Sequence, residues 1–170
     1  MYELSLLFFR ISLFRNGPQD VPASPWLLAL LLPIYIVVNF LILWLNGTAA
    51  SAPLQVAVDF AMMPGFIWPL LYFAGKSARF QQTLHAMLGT DIVIAVLALP
   101  VIASLNNAPN QPAYFALVGL MIWHWVINGH IFRHALDRSA MFGMLLALLY
   151  IMMSAQVMAS LFPVLINSPE

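Results

Sequence analysis

This chain of 170 residues has no cysteine and very little charge. Without cysteine there are no disulfides, no thiolate nucleophiles and no Cys-ligated zinc or iron–sulfur centres. Only 7% of the residues are charged, far below the roughly 25% of an ordinary soluble domain. Six basic and six acidic residues cancel to a formal net charge of zero. With no basic arm or stripe to offset phosphate repulsion, a nucleic-acid partner is excluded. No nucleophile–base pair, phosphate loop or double-carboxylate motif can be read either, so the sequence points to no enzyme.

Long apolar runs are plentiful, at 63% hydrophobic residues. A hydrocarbon core of about 30 Å takes about 20 residues of helix, and five runs reach that length: 26–45, 53–74, 81–105, 113–132 and 139–163. Turn residues separate them: Asn46-Gly47 with Ser51 and Pro53, Gly75-Lys76-Ser77, Asn106 through Pro112, and Asp137-Arg138-Ser139. The connections are short, so neighbouring helices are expected to be antiparallel and in contact. The expected fold is all-α: a polytopic membrane protein with a single five-helix transmembrane bundle over 26–163, preceded by a short interfacial helix within 1–16.

All six basic residues fall beside alternate gaps. Arg10 and Arg15 precede the first run, Lys76 and Arg79 follow the second, and Arg133 and Arg138 follow the fourth. Lys and Arg are retained on the cytoplasmic side, which predicts a cytoplasmic N-terminus, five crossings and a C-terminus outside. From Tyr2 to Arg15 the chain reaches only about 21 Å as a helix and cannot cross. Leu4, Leu7, Phe8, Ile11 and Phe14 share one stripe there, and Arg10 and Arg15 are placed to meet lipid headgroups. No small-residue cleavage site follows, so the segment does not read as a signal peptide. Pro18, Pro22 and Pro25 make a stiff connector into the first crossing.

Ionisable groups inside hydrocarbon are costly and mark functional positions. Asp59, Asp91 and His124 lie within the second, third and fourth runs, and Asn39 and Gln156 within the first and fifth. Each helix thus offers one polar side chain to an intramembrane cluster. That cluster serves either as a proton or solute path, with Asp91 and His124 exchanging a proton and Asp59 at the outer mouth, or as polar pairing that sets helix register.

The fourth run also carries His130, His134 and Asp137 at spacings of four and three, which on one helical face would make a divalent metal set. His85 and His130, near the same ends of their helices, offer a bis-histidine haem b site. Against these stands the reading of no cofactor, with the histidines at the headgroups. Ser139, Gly143 and Ala147 repeat small residues at spacing four, a helix-packing face that predicts burial of the fifth helix in the bundle or against a partner.

Two stretches, Leu84-His85-Ala86-Met87-Leu88-Gly89-Thr90 ahead of a run ending Leu99-Pro100, and Ile122-Trp123 through Gly129 to Arg133-His134-Ala135-Leu136, resemble the Yip-type family of small five-helix membrane proteins. Eukaryotic members act in vesicle traffic and contact small GTPases through a long cytosolic N-terminal region, which this chain lacks. GTPase binding is therefore not carried over. The resemblance implies a bacterial-type member in the cytoplasmic membrane that organises or assembles membrane complexes. The leading expectation is a non-catalytic accessory subunit or assembly factor whose partners are lipids and other membrane subunits. The alternative is a proton-linked small-solute carrier or channel using Asp59, Asp91 and His124. The third expectation is a haem- or metal-binding membrane subunit.

Overall fold

The computed structural model describes residues 2–107 and 110–163, and all their regular structure is helical. The helices are α1 (Tyr2–Ser12), α2 (Pro25–Leu45), α3 (Ala52–Phe73), α4 (Phe80–Asn107), α5 (Gln111–Leu136) and α6 (Ala140–Leu161). The last five are long and apolar enough to cross a membrane. Their ends fall within a few residues of those read from the apolar runs, except that α5 runs to Leu136, beyond the expected 132. The connection over 106–112 includes residues 108 and 109, which lie outside the described residues.

Local chemistry fixes these boundaries. Proline opens α2, α3 and α5 in the first turn, where its missing N–H costs nothing. Asn110 and Ser139 cap α5 and α6 by accepting hydrogen bonds from the N–H groups of Ala113 (2.7 Å) and Phe142 (3.3 Å). At the other ends, Gly47 (φ 76°) and Gly75 (φ 69°) turn left-handed. The bonds Thr48 N–H to Leu43 O (3.0 Å) and Lys76 N–H to Leu71 O (2.8 Å) then close α2 and α3. Asp137 does the same for α5 at φ 50° without being glycine.

Helix α4 lies at the centre, packed on α1, α2, α3 and α5. Half of its most apolar window is buried, against 11% for α6, so α6 is the outermost crossing. Helix α6 is held by α5 and α3. The α5–α6 approach is backbone-close: a Cβ on Gly143 would run into the Gly129 carbonyl and Arg133, Ala147 is fully buried, and Trp125 Nε1 donates to the Met144 carbonyl (3.0 Å). Of the small-residue face read from sequence, Gly143 and Ala147 are therefore covered within the chain itself. Ser139 is exposed and serves as a cap instead.

Helix α1 docks on the bundle. Phe8 and Ile11 are buried in the common core, and Leu4 and Leu7 pack against it. The ring of Phe8 occupies the space a side chain at Gly89 would need. The connector that follows is gripped by its carbonyls. Trp123 Nε1 donates to Ser12 O (2.9 Å), His130 Nε2 to Asn16 O (2.9 Å), Gln82 Nε2 to Gln19 O (3.2 Å) and His85 Nδ1 to Pro22 O (3.1 Å). The apolar stripe of α1 thus faces protein from Leu4 to Ile11, whereas Phe14, expected to extend it, lies past the end of the helix at φ 61° and is exposed like Arg10 and Arg15.

At the same end of the bundle the α3–α4 and α5–α6 connections are tied. Lys76 Nζ and Arg79 Nη1 meet Asp137 Oδ2 at 2.5 and 2.9 Å. Lys76 also donates to Leu136 O (2.7 Å), and Arg79 to His134 O and Ala135 O (3.1 Å each). Two cations therefore sit on the open carbonyls at the negative end of α5. Hydrogen bonds from Arg79 and Lys76, followed by their charge, hold the Asp137 carboxyl down to about 2.

Candidate functional site

The polar side chains that the runs carry into hydrocarbon meet between α3, α4, α5 and α6. Asp91 stands on α4 and His124 on α5, with His124 Nε2 3.3 Å from Asp91 Oδ1. Asp59 on α3 accepts a short hydrogen bond from Tyr35 Oη of α2 (2.5 Å) and a longer one from Ser154 Oγ of α6 (3.4 Å). Asn39 donates to the Tyr35 carbonyl (3.0 Å) and lies beside Asp91. Hydrogen bonds thus join Tyr35, Asn39, Asp59 and Ser154, and with the Asp91–His124 contact the polar groups draw on all five crossings, as burial of carboxylates in a low-dielectric interior demands.

The set borders a cavity of about 290 Å³, lined on its polar side by Asp59, Asp91, His124, Asn128, Tyr150 and Ser154. Met63, Met87, Ile151 and Met158 make much of the rest. His124 and Asn128 share a face of α5, being four residues apart. Asn128 is 1% exposed, and its Nδ2 is the buried side-chain donor among the described residues that has no hydrogen-bond partner. A buried amide donor left unmatched costs about 1–3 kcal/mol, and this nitrogen is covered by protein atoms on all sides.

No protein-family model, curated protein or solved structure matches this chain.

Of the residues singled out in the sequence, Asn39, Asp59, Asp91 and His124 are brought together. Gln156 is not: it is exposed on α6 and does not line the cavity. Ser154, two residues earlier and some 200° around the helix, occupies the position expected of it. Tyr35, Tyr150, Ser154 and Asn128 complete the site. A faint signal existed for Asn128 alone, through its spacing from His124.

The metal reading of the histidines is corrected. Helix α5 ends at Leu136, so Asp137 lies in a left-handed turn and faces Lys76 and Arg79 instead of the histidines. Among the described residues no three His, Asp or Glu side chains could hold a metal ion. His130 stacks edge-on against His134 and Phe14, with centroids 4.5 and 5.4 Å apart, and donates to Asn16. His85 donates to Pro22. Each histidine of the expected haem pair thus has one ring nitrogen on the N-terminal connector.

Proposed function

We propose that this multi-pass membrane protein is a proton-linked carrier or channel for a small solute, working through the cavity at Asp59, Asp91 and His124. The observation that carries this reading is the 3.3 Å approach of His124 Nε2 to Asp91 Oδ1 at the edge of a 290 Å³ cavity. At that distance a proton held by the carboxyl can pass to the imidazole and back with little movement of either helix. Asp59, fixed by Tyr35 and Ser154, supplies a second carboxylate between that pair and the end of the bundle opposite the basic connections. The proposed setting is a bacterial cytoplasmic membrane, with the basic end and the N-terminus inside and the C-terminus outside. A distant Yip-type descent is compatible with this and adds no site residue.

The test is proton flux into liposomes carrying the purified protein, driven by a potassium diffusion potential and followed with an entrapped pH dye. Flux above that of empty liposomes, lost in Asp91→Asn while the protein stays folded, is the expected result. Absence of flux, or unchanged flux in Asp91→Asn, would overturn the proposal.

The accessory-subunit reading retains one supporting observation: α6 leaves Met141, Leu145 and Met152 exposed at 75%, 57% and 62%. These side chains can lie against lipid or a second protein. Native mass spectrometry of the protein released with its own lipids separates the two, since only the subunit reading requires a stoichiometric protein partner.

A further inference from the structure

The basic residues at the connected end of the bundle are not equivalent. Lys76 and Arg79 are engaged by Asp137 and by the last carbonyls of α5. Arg133, in the last turn of α5, has no side-chain hydrogen bond or ion pair among the described residues. Its root is nonetheless fixed, because its Cβ lies in the backbone-close contact with Gly143 of α6. Arg133 lines a second cavity, of about 200 Å³, together with Phe14, Val126, His130, Ala140 and Met144. Val126 lies seven residues before Arg133 on α5, about 10 Å deeper into the bundle. On the antiparallel α6, Met144 lies one turn deeper than Ala140. The cavity therefore runs from a cation at the membrane surface to apolar side chains below it. His130 is already turned to Asn16 and Phe14, and no carboxylate lines the space. Asp137 faces Lys76 and Arg79, and Asp20 accepts from Asn16 Nδ2 and Gly17 N–H (2.9 Å each).

We infer that this cleft between α5 and α6 is a site for one anionic phospholipid. The Arg133 guanidinium donates to the phosphodiester oxygens, which its planar fork matches, and the first methylenes of one acyl chain lie against Val126 and Met144. At about 30 Å³ for a water-sized group, the cavity holds roughly six or seven such groups, and the rest of the lipid stays in the bilayer. A free phosphate ion would leave the apolar floor empty. A basic pocket between membrane helices at the surface meets lipid headgroups before any other anion. The site shares no lining residue with the cavity at Asp59 and Asp91, so it stands apart from the proposed carrier function.

Native mass spectrometry of the purified full-length protein, stripped of lipid in detergent and titrated with phosphatidylglycerol or with phosphatidylcholine of the same chains, tests the inference. Wild-type protein is expected to retain one phosphatidylglycerol about tenfold more tightly than the zwitterionic lipid, as one charge-assisted contact warrants. Arg133→Gln is expected to erase that preference. Arg138→Gln, which removes the same charge outside the cavity, is expected to leave it in place. Should Arg133→Gln fail to fold, Arg133→Lys, which keeps the charge and loses the fork, is expected to narrow the preference. Excess inorganic phosphate is expected not to displace the lipid. Equal retention of the two lipids, equal losses in Arg133→Gln and Arg138→Gln, or displacement by phosphate would overturn the inference. So would a stoichiometric protein that remains bound and excludes the lipid.

Discussion

His124 Nε2 and Asp91 Oδ1 stand 3.3 Å apart across the contact between α5 and α4. Either group alone would carry an ionisable side chain into hydrocarbon without a counterpart; together they give one proton two places to reside. His124→Gln is therefore expected to abolish proton flux as fully as Asp91→Asn, and the double substitution to be no worse than either single one. Additive partial losses would mean that the two act in separate paths.

Gly143→Leu is expected to be the most damaging change on the small-residue face, because its side chain would enter the space held by the Gly129 carbonyl and Arg133. Overpacking of this kind costs about 1–3 kcal/mol or more. Ser139→Ala removes only a cap, worth about 1 kcal/mol. Thermal unfolding in detergent should rank them in that order, and a harmless Gly143→Leu would show that α6 does not sit against α5 as described.

Gly89→Leu is expected to unseat Phe8 and loosen α1 from α4. The readout is labelling of a cysteine placed at Ser12, which is fully buried, by a membrane-permeant maleimide. Slow labelling should become fast by about tenfold, as loss of burial turns a closed site into an open one. An unchanged rate would mean that Phe8 is not the anchor.

The tie of Asp137 to Arg79 and Lys76 sets an acid limit. Its folded-state pKa of about 2 lies below the ordinary value of 3.8. The stabilisation it brings is therefore complete above roughly pH 4 and is lost as pH falls towards 2, where the carboxylate takes up a proton. Wild type and Asp137→Asn should differ in unfolding temperature at pH 6 and converge near pH 2. A difference that persists at the acid end would remove charge as its cause.

The crossings were legible because hydrocarbon enforces an apolar length that no tertiary context can override. Asp91 with His124 was legible for a related reason: a charged group at that depth needs a partner, and few were on offer. Tyr35 and Tyr150 escaped notice because aromatic residues are common in such helices and declare no partner. Gln156 was misplaced since, in a helix that is apolar all round, one polar residue does not reveal which face turns inward. The metal set failed on a boundary, because i, i+3 spacing aligns His134 with Asp137 only if the helix continues through both. Docking of α1 by its carbonyls was invisible, as every residue offers the same acceptor.

That docking has a consequence for biosynthesis. The acceptors at Ser12, Asn16, Gln19 and Pro22 leave the ribosome before their donors Gln82, His85, Trp123 and His130, which follow only after α2 and α3 have been made. This segment, made before its donors, is thus secured only once α4 and α5 are in place. Until then its carbonyls must be satisfied by water at the membrane surface, which makes final docking of the N-terminus a natural checkpoint for completed insertion.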